Sequence, residues 1–289
     1  MQTLIIFVIV LLAFSMTAGR TEAQEIVEQD SPGKAPRTYD IGAEAANPLG
    51  FLPSVALRNT VDFGAPNGSA YFLNIQPLFP FHLGSWDVIN RPILPVIHVS
   101  GFVEGTANIP QGAKGDGAFG LGDINYSAYF APPDWGMFNW GFGPSVTFPT
   151  ATDDQLGSGK WSAGPTAAFF VMPKPLALAV VARQLWSFAG SSGRADVNQF
   201  LLQTTAVYGI GKGWALVSDM VVTVNWDAPS GQRWTVPLGG GVNKFVVIGR
   251  QPLIFRLDAY YNVERPDGGP EWLMNFLIRF LFPKGQEAA

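Results

Sequence analysis

The chain has 289 residues, 47% of them hydrophobic, yet only 14% are charged, against about 25% in soluble domains. With 18 Lys and Arg against 22 Asp and Glu, it lacks the basic surface that nucleic-acid binding demands, and it is too apolar and aromatic to be disordered. It has no Cys and two His, which excludes disulfide frameworks, Cys-based metal or nucleophile sites, and multi-histidine sites.

Residues 4–14, LIIFVIVLLAF, form an apolar run too short for a bilayer-spanning helix, which needs about 20 residues. Small residues at Thr21 and Ala23 suit cleavage after Ala23. Residues 1–23 therefore read as a secretory signal peptide, although Met1-Gln2-Thr3 lacks the usual basic residue. Export without cysteine fits a bacterial envelope protein. Residues 24–50 are polar and acidic, with Pro32, Pro36 and Pro48, and read as a flexible periplasmic lead-in.

From there the hydrophobic period is two, and no apolar run approaches 18 residues. Tyr71, Leu73, Ile75, Pro77 and Phe79 alternate with Phe72, Asn74, Gln76 and Leu78. Similar alternation marks 123–130, 138–148, 199–208, 214–226 and 253–262, and less cleanly 57–64, 85–97, 161–172, 176–188 and 232–243. The last segment is the clearest. Trp272, Met274, Phe276, Ile278, Phe280 and Phe282 share one face, and Asn275 and Arg279 lie on the other. A wholly apolar, aromatic strand face is explained by contact with lipid. The pattern predicts an all-β fold, a transmembrane antiparallel up-and-down β-barrel of about 12 strands over residues 51–284, with 285–289 a tail. Short turns near 81–84, 132–136, 173–175, 211–213 and 249–251 alternate with longer loops near 98–117, 150–160, 189–197, 227–231 and 264–270. An even strand count puts both termini on the periplasmic side.

Charge segregates as such a barrel requires. Lys34, Lys114, Lys160, Lys174, Lys212, Lys244 and Lys284 all fall in expected loops, turns or tails. Arg183, Arg256, Arg279, Asp123, Asp219 and Asp258 fall on the expected inner face, as do Arg91 and Arg233 on strands that alternate poorly. A soluble sandwich would carry Lys and Glu on its wet face. These eight residues are candidates for lining the lumen. They either set a pore's selectivity or pair across a narrow bore and keep it filled. The near balance of Arg and Asp argues against strong ion selectivity.

Other motifs carry less. Gly115-Asp116-Gly117-Ala118-Phe119-Gly120 matches G-x-G-x-x-G but lacks the preceding strand and following helix of a dinucleotide site. Gly157-Ser158-Gly159-Lys160 lacks the first Gly and the Ser or Thr of a phosphate loop. Asp153-Asp154 reads as a solvated loop, with cation or lipopolysaccharide bridging as the alternative. Asn67-Gly68-Ser69 is a formal glycosylation sequon, irrelevant in a bacterium. His82 and His98 stand at a turn and a strand end, and no catalytic triad can be assembled.

The stretches NIQPLFPF (74–81), FGLGDINYSAYFAP (119–132), GFGPSVTFPTATDDQLGSGKWSAGP (141–165), LWSFAG with RADVN (185–198), QRWTVPLGGGVNK (232–244) and RPDGGPEW with LIRFLFPK (265–284) resemble a family of bacterial outer-membrane β-barrels. Its members are labelled transporters, grouped with MetA-type phenol-degradation-pathway proteins, or given the peptide name "neuromedin U". The resemblance implies a bacterial outer-membrane location and a transport role, and brings no substrate or catalytic residues. The sequence reading is thus a passive channel or transporter for small solutes, with no enzymatic chemistry, cofactor or metal. Its expected partners are outer-membrane lipid and lipopolysaccharide, the barrel assembly machinery and a small solute, and not nucleic acid. A closed structural or surface-interaction barrel is the alternative.

Overall fold

The computed structural model describes residues 25–28, 37–40, 46–109, 116–133 and 138–283. Residues 1–23, read from the sequence as a signal peptide, and the tail at 285–289 lie outside these residues. Two short strands, β1 (Glu25–Glu28) and β2 (Arg37–Asp40), pair antiparallel with each other. The remaining strands are β3 (Ser54–Ala65), β4 (Asn67–Leu83), β5 (Trp86–Phe102), β6 (Ala118–Leu121), β7 (Ile124–Ala131), β8 (Phe138–Phe148), β9 (Lys160–Val171), β10 (Leu176–Gly190), β11 (Asn198–Gly211), β12 (Trp214–Asn225), β13 (Trp234–Ile248), β14 (Gln251–Glu264) and β15 (Trp272–Leu281). Apart from β6 and β7, each pairs antiparallel with its sequence neighbours, β15 returns to β3, and the sheet closes. The short β6 and β7 both pair with β5, in successive stretches, so the wall has twelve staves. Among the described residues there is no helix.

Alternation explains the closure. Every second side chain faces out, and these positions hold the exposed large apolar residues, including Phe142, Phe169, Leu216, Leu238 and Leu257. A water-soluble surface does not carry such a continuous apolar band. Aromatic belts mark its two edges. Trp86 meets Trp140 edge-on at the end of the short turns, with ring centroids 6.4 Å apart. Phe148–Trp161, Trp226–Trp234 and Tyr261–Trp272 form the belt at the end of the long loops. Belts at both interfaces are the signature of an outer-membrane barrel, and the protein is one.

The expected short turns near 81–84, 173–175, 211–213 and 249–251 and the long loops near 150–160, 189–197, 227–231 and 264–270 occur, while those near 132–136 and 98–117 lie partly outside the described residues. The wall also contains an unforeseen tight connection, Pro66 alone, between β3 and β4. Lys160 opens β9, and Lys244 also corrects the expectation that every Lys avoids strands, because β13 runs on to Ile248. It lies at that strand's periplasmic end, with Nζ 4.8 Å from the Trp214 ring and donating to the Lys212 carbonyl at 2.8 Å. Long lysines reach the interface in this way.

Phe276 lies near the middle of the lipid-facing row of β15. Phe276→Arg is expected to destabilise the barrel by about 2–4 kcal/mol, read by urea unfolding in vesicles, with Phe276→Leu close to wild type.

Candidate functional site

The ladder register fixes the inner face. Asp219 lies opposite Thr205, Arg256 opposite Asn243 and Leu277, and Asp258 opposite Gly241 and Asn275. Arg58 lies opposite Leu277 and Asn74. These residues alternate with lipid-facing ones, so the same pattern that closes the wall collects their polar groups in the lumen.

Asp219 is the hub. Its Oδ2 accepts from Arg58 Nη2 and from Arg256 Nη1, the latter at 2.5 Å. Its Oδ1 accepts from Gln203 Nε2 at 2.7 Å and Thr205 Oγ1 at 2.8 Å, and its backbone amide donates to Tyr260 Oη at 2.7 Å. Two guanidinium groups on one buried carboxylate are compatible with burial because nearly every acceptor site is filled. Gln203 extends the network by accepting from Arg91 Nη2 at 3.2 Å. These contacts bridge the bore, from β3 to β12 and from β5 to β11.

The other candidates take separate places. Arg183 Nη1 donates to Asn125 Oδ1 at 2.5 Å. Asp258 is buried next to Arg256 on β14, and Arg279 faces inward from β15. Asp123 secures a loop: Ser158 donates to its Oδ2 from both N (2.6 Å) and Oγ (2.8 Å), and the Ala151 amide donates to its Oδ1 at 3.1 Å. Gly157 is required there, because a Cβ would stand 2.4 Å from Asp123 Oδ1. Arg233 precedes β13 at the extracellular rim, exposed, with Nε donating to the Ala228 carbonyl at 2.8 Å. Nearby, a hydrogen bond from Lys160 at 2.9 Å, with help from Ser187, holds the exposed Asp196 carboxyl below its usual range.

Vertically the lumen has three layers. A cavity of about 180 Å³ runs from Thr106 and Asn108 of the loop after β5, past Arg58, Arg91, Arg183 and Asp219, to Tyr129 and Val181. Val103, Ile109 and Leu156 fold inward from the loops and pack on Phe72, Ile97 and Val99. The charged layer comes next. Below it the bore is apolar and filled. Leu49 packs among Ile89, Tyr129, Ala131, Ala168 and Val181, Ala46 reaches the cluster around Phe170 and Val217, and Leu52 reaches Phe245 and Leu281. Residues 46–50, which composition assigns to the lead-in, are thus seated inside the barrel, because their Ala and Leu find an apolar lining there.

Sequence reasoning missed Arg58 and Asp62. The signal was present, since Arg58, Thr60 and Asp62 alternate with Leu57, Val61 and Phe63. Asn59 on the lipid side blurred it. That polar group is satisfied by accepting from Tyr71 Oη at 2.6 Å and donating to the Phe276 carbonyl at 3.3 Å.

Comparison with known proteins agrees with this architecture. Residues 50–276 match the model of the family described as "Putative MetA-pathway of phenol degradation". An outer membrane channel from Pseudomonas putida F1 superposes with a TM-score of 0.60 at 16% identity, covering 80% of this chain and 95% of that one. The NanC porin is similar at a TM-score of 0.47 and 9% identity, covering 79% of this chain and 99% of its own. No curated protein sequence matches.

Asp219→Asn would remove the carboxylate that Arg58 and Arg256 share, leaving Asp258 as their neighbouring negative charge. The expected loss is about 3 kcal/mol or more in vesicle unfolding, while Asp153→Asn in an exposed loop stays near wild type.

Proposed function

The chain belongs to the "Putative MetA-pathway of phenol degradation" family, and from that premise we propose that it is a passive outer-membrane conduit for small solutes. The observation that carries the reading is the lumen's content: charged and amide side chains around a cavity of about 180 Å³, inside a wall whose other face is apolar. The similar Pseudomonas putida protein is called an outer membrane channel, which supports the same reading. No chemistry of its own is assigned to the barrel. The inward arginines and aspartates select by charge and size as solute passes them. Outer-membrane lipid and lipopolysaccharide surround the wall, and the barrel assembly machinery inserts it.

A second reading, a closed structural barrel, is favoured by one observation: Leu49 is 6% exposed inside the periplasmic half. The conduit reading treats the segment around Leu49 as a stopper that yields, because it is joined to the wall by packing and not by ladder pairing.

Purified protein in planar bilayers separates the two. The wild type is expected to give small, ohmic steps, and Leu49→Asp, which places a charge among Ile89, Ala168 and Val181, is expected to enlarge them severalfold. Retained heat-modifiable migration on detergent gels would show that the variant is folded. Silence of both proteins at all voltages would overturn the conduit reading.

A further inference from the structure

Two arginines cross the bore side by side, in opposite directions. Arg91 reaches from β5 to Gln203 on β11, where its Nη2 donates at 3.2 Å. Arg183 reaches from β10, the neighbour of β11, to Asn125 on β7, where its Nη1 donates at 2.5 Å. The ladder register brings their ends together. Arg91 pairs with Ser127, two residues from Asn125, and Arg183 pairs with Leu201, two residues from Gln203. The two guanidiniums are near enough to repel each other. Each is held by an amide oxygen, and an amide brings no balancing charge.

The carboxylates of this layer are engaged elsewhere. Asp219 bonds Arg58 and Arg256, and Asp258 stands near the same two arginines. Arg279, which repels Arg256, Arg58 and Arg91, makes five arginines against these two aspartates. Asp62 lies four residues beyond Arg58 toward the extracellular end of β3, and Asp123 is bonded to Ser158 and Ala151 of the loop. The near balance of charge along the whole bore thus hides a local excess of arginine.

The pair is within reach of a solute. Both arginines line the cavity and are partly exposed there. Each makes one side-chain hydrogen bond among the described residues, which leaves Arg91 Nε, Arg91 Nη1 and Arg183 Nη2 with N–H groups to give. Arg183 Nε is shut away, and these three nitrogens are not. The lining around them is mixed, with Ile93, Leu185 and Leu201 among Asn125, Gln199 and Gln203. Buried charges are ordinarily paired, and planar guanidinium forks match the two oxygens of a carboxylate.

We propose that Arg91 and Arg183 clamp the carboxylate of a small aliphatic acid, of about the size of butyrate. Its oxygens accept from the three available N–H-bearing nitrogens, and its charge relieves the repulsion between the guanidiniums. Its short chain lies against Ile93 and Leu201. The inference names the solute class for the conduit reading and rests on that reading for its use in passage, while binding itself does not require current.

Calorimetric titration of the full-length barrel in detergent tests it with butyrate and the neutral isostere butyramide. Butyrate is expected to bind about tenfold or more tightly, the effect of charge-assisted hydrogen bonds. Arg91→Gln or Arg183→Gln is expected to weaken butyrate about tenfold and leave butyramide unchanged. Arg250→Gln, in an exposed turn, is expected to change neither. Heat-modifiable migration reports folding. Where a glutamine variant does not fold, Arg91→Lys or Arg183→Lys replaces it, keeping the charge and losing the fork, with a severalfold loss expected. Absent butyrate binding, equal binding of the two probes by the wild type, or full butyrate affinity in a folded Arg91 or Arg183 variant would overturn the proposal. Butyrate binding without bilayer current would contradict the conduit reading alone. Current without preference for butyrate over butyramide in binding would contradict this site alone.

Discussion

Everything in this protein follows from the backbone's need for hydrogen-bond partners where lipid offers none. Within the hydrocarbon layer an unpaired amide or carbonyl costs several kcal/mol, so a sheet can cross only if it has no edge. The return of β15 to β3 supplies that closure. Where the ladder lapses, other groups intervene. Between β12 and β13 the pairing stops at Val217–Gly241 and resumes at Thr223–Thr235, and Ser218 Oγ donates to the Gly239 carbonyl at 2.8 Å across the gap.

Closure also dictates the inside. With the outer row apolar, the polar side chains share a bore too narrow to hydrate each of them fully, and they survive by bonding one another. Asp219 shows the extreme, taking two guanidiniums, an amide and a hydroxyl. Asp62 departs from this, with a buried carboxylate oxygen that has no hydrogen-bond partner among the described residues. The bonding is incomplete within the charged layer as well, where Arg58 Nε, Arg183 Nε and Asp258 Oδ1 find no hydrogen-bond partner among the described residues. The periplasmic half follows a third rule, since its inner positions are Ala, Val and Phe, and apolar residues from the chain's own N-terminal side occupy it.

Much of this was legible in the sequence, because period-two alternation carries the closure itself. Phe138–Phe148 and Trp272–Leu281 announced their faces outright, and the Gly- and Pro-rich turns gave the stave count. The inner charges of β12 and β14 were legible for the same reason. Three things were not. Arg58 and Asp62 were hidden because Asn59 interrupts the apolar row, an interruption made tolerable by Tyr71, a partner on the adjacent strand that spacing alone does not reveal. Asp123 lines the cavity, but its further role in securing the 150–159 loop depends on a contact 35 residues away in sequence. The seating of Leu49 was invisible because Ala, Leu and Pro in a polar stretch look like linker until a matching apolar bore exists.

Chemical access to the lumen tests the layered arrangement most directly. The protein has no native cysteine, so single cysteines report cleanly. Val221 lines the cavity, and Val217, on the same face of β12, lies beyond Asp219 in the filled half. With a membrane-impermeant thiol reagent supplied from outside, Val221→Cys is expected to react rapidly and Val217→Cys slowly, and adding Leu49→Asp is expected to narrow the difference. Equal labelling of the two positions in the otherwise wild-type barrel would contradict the account.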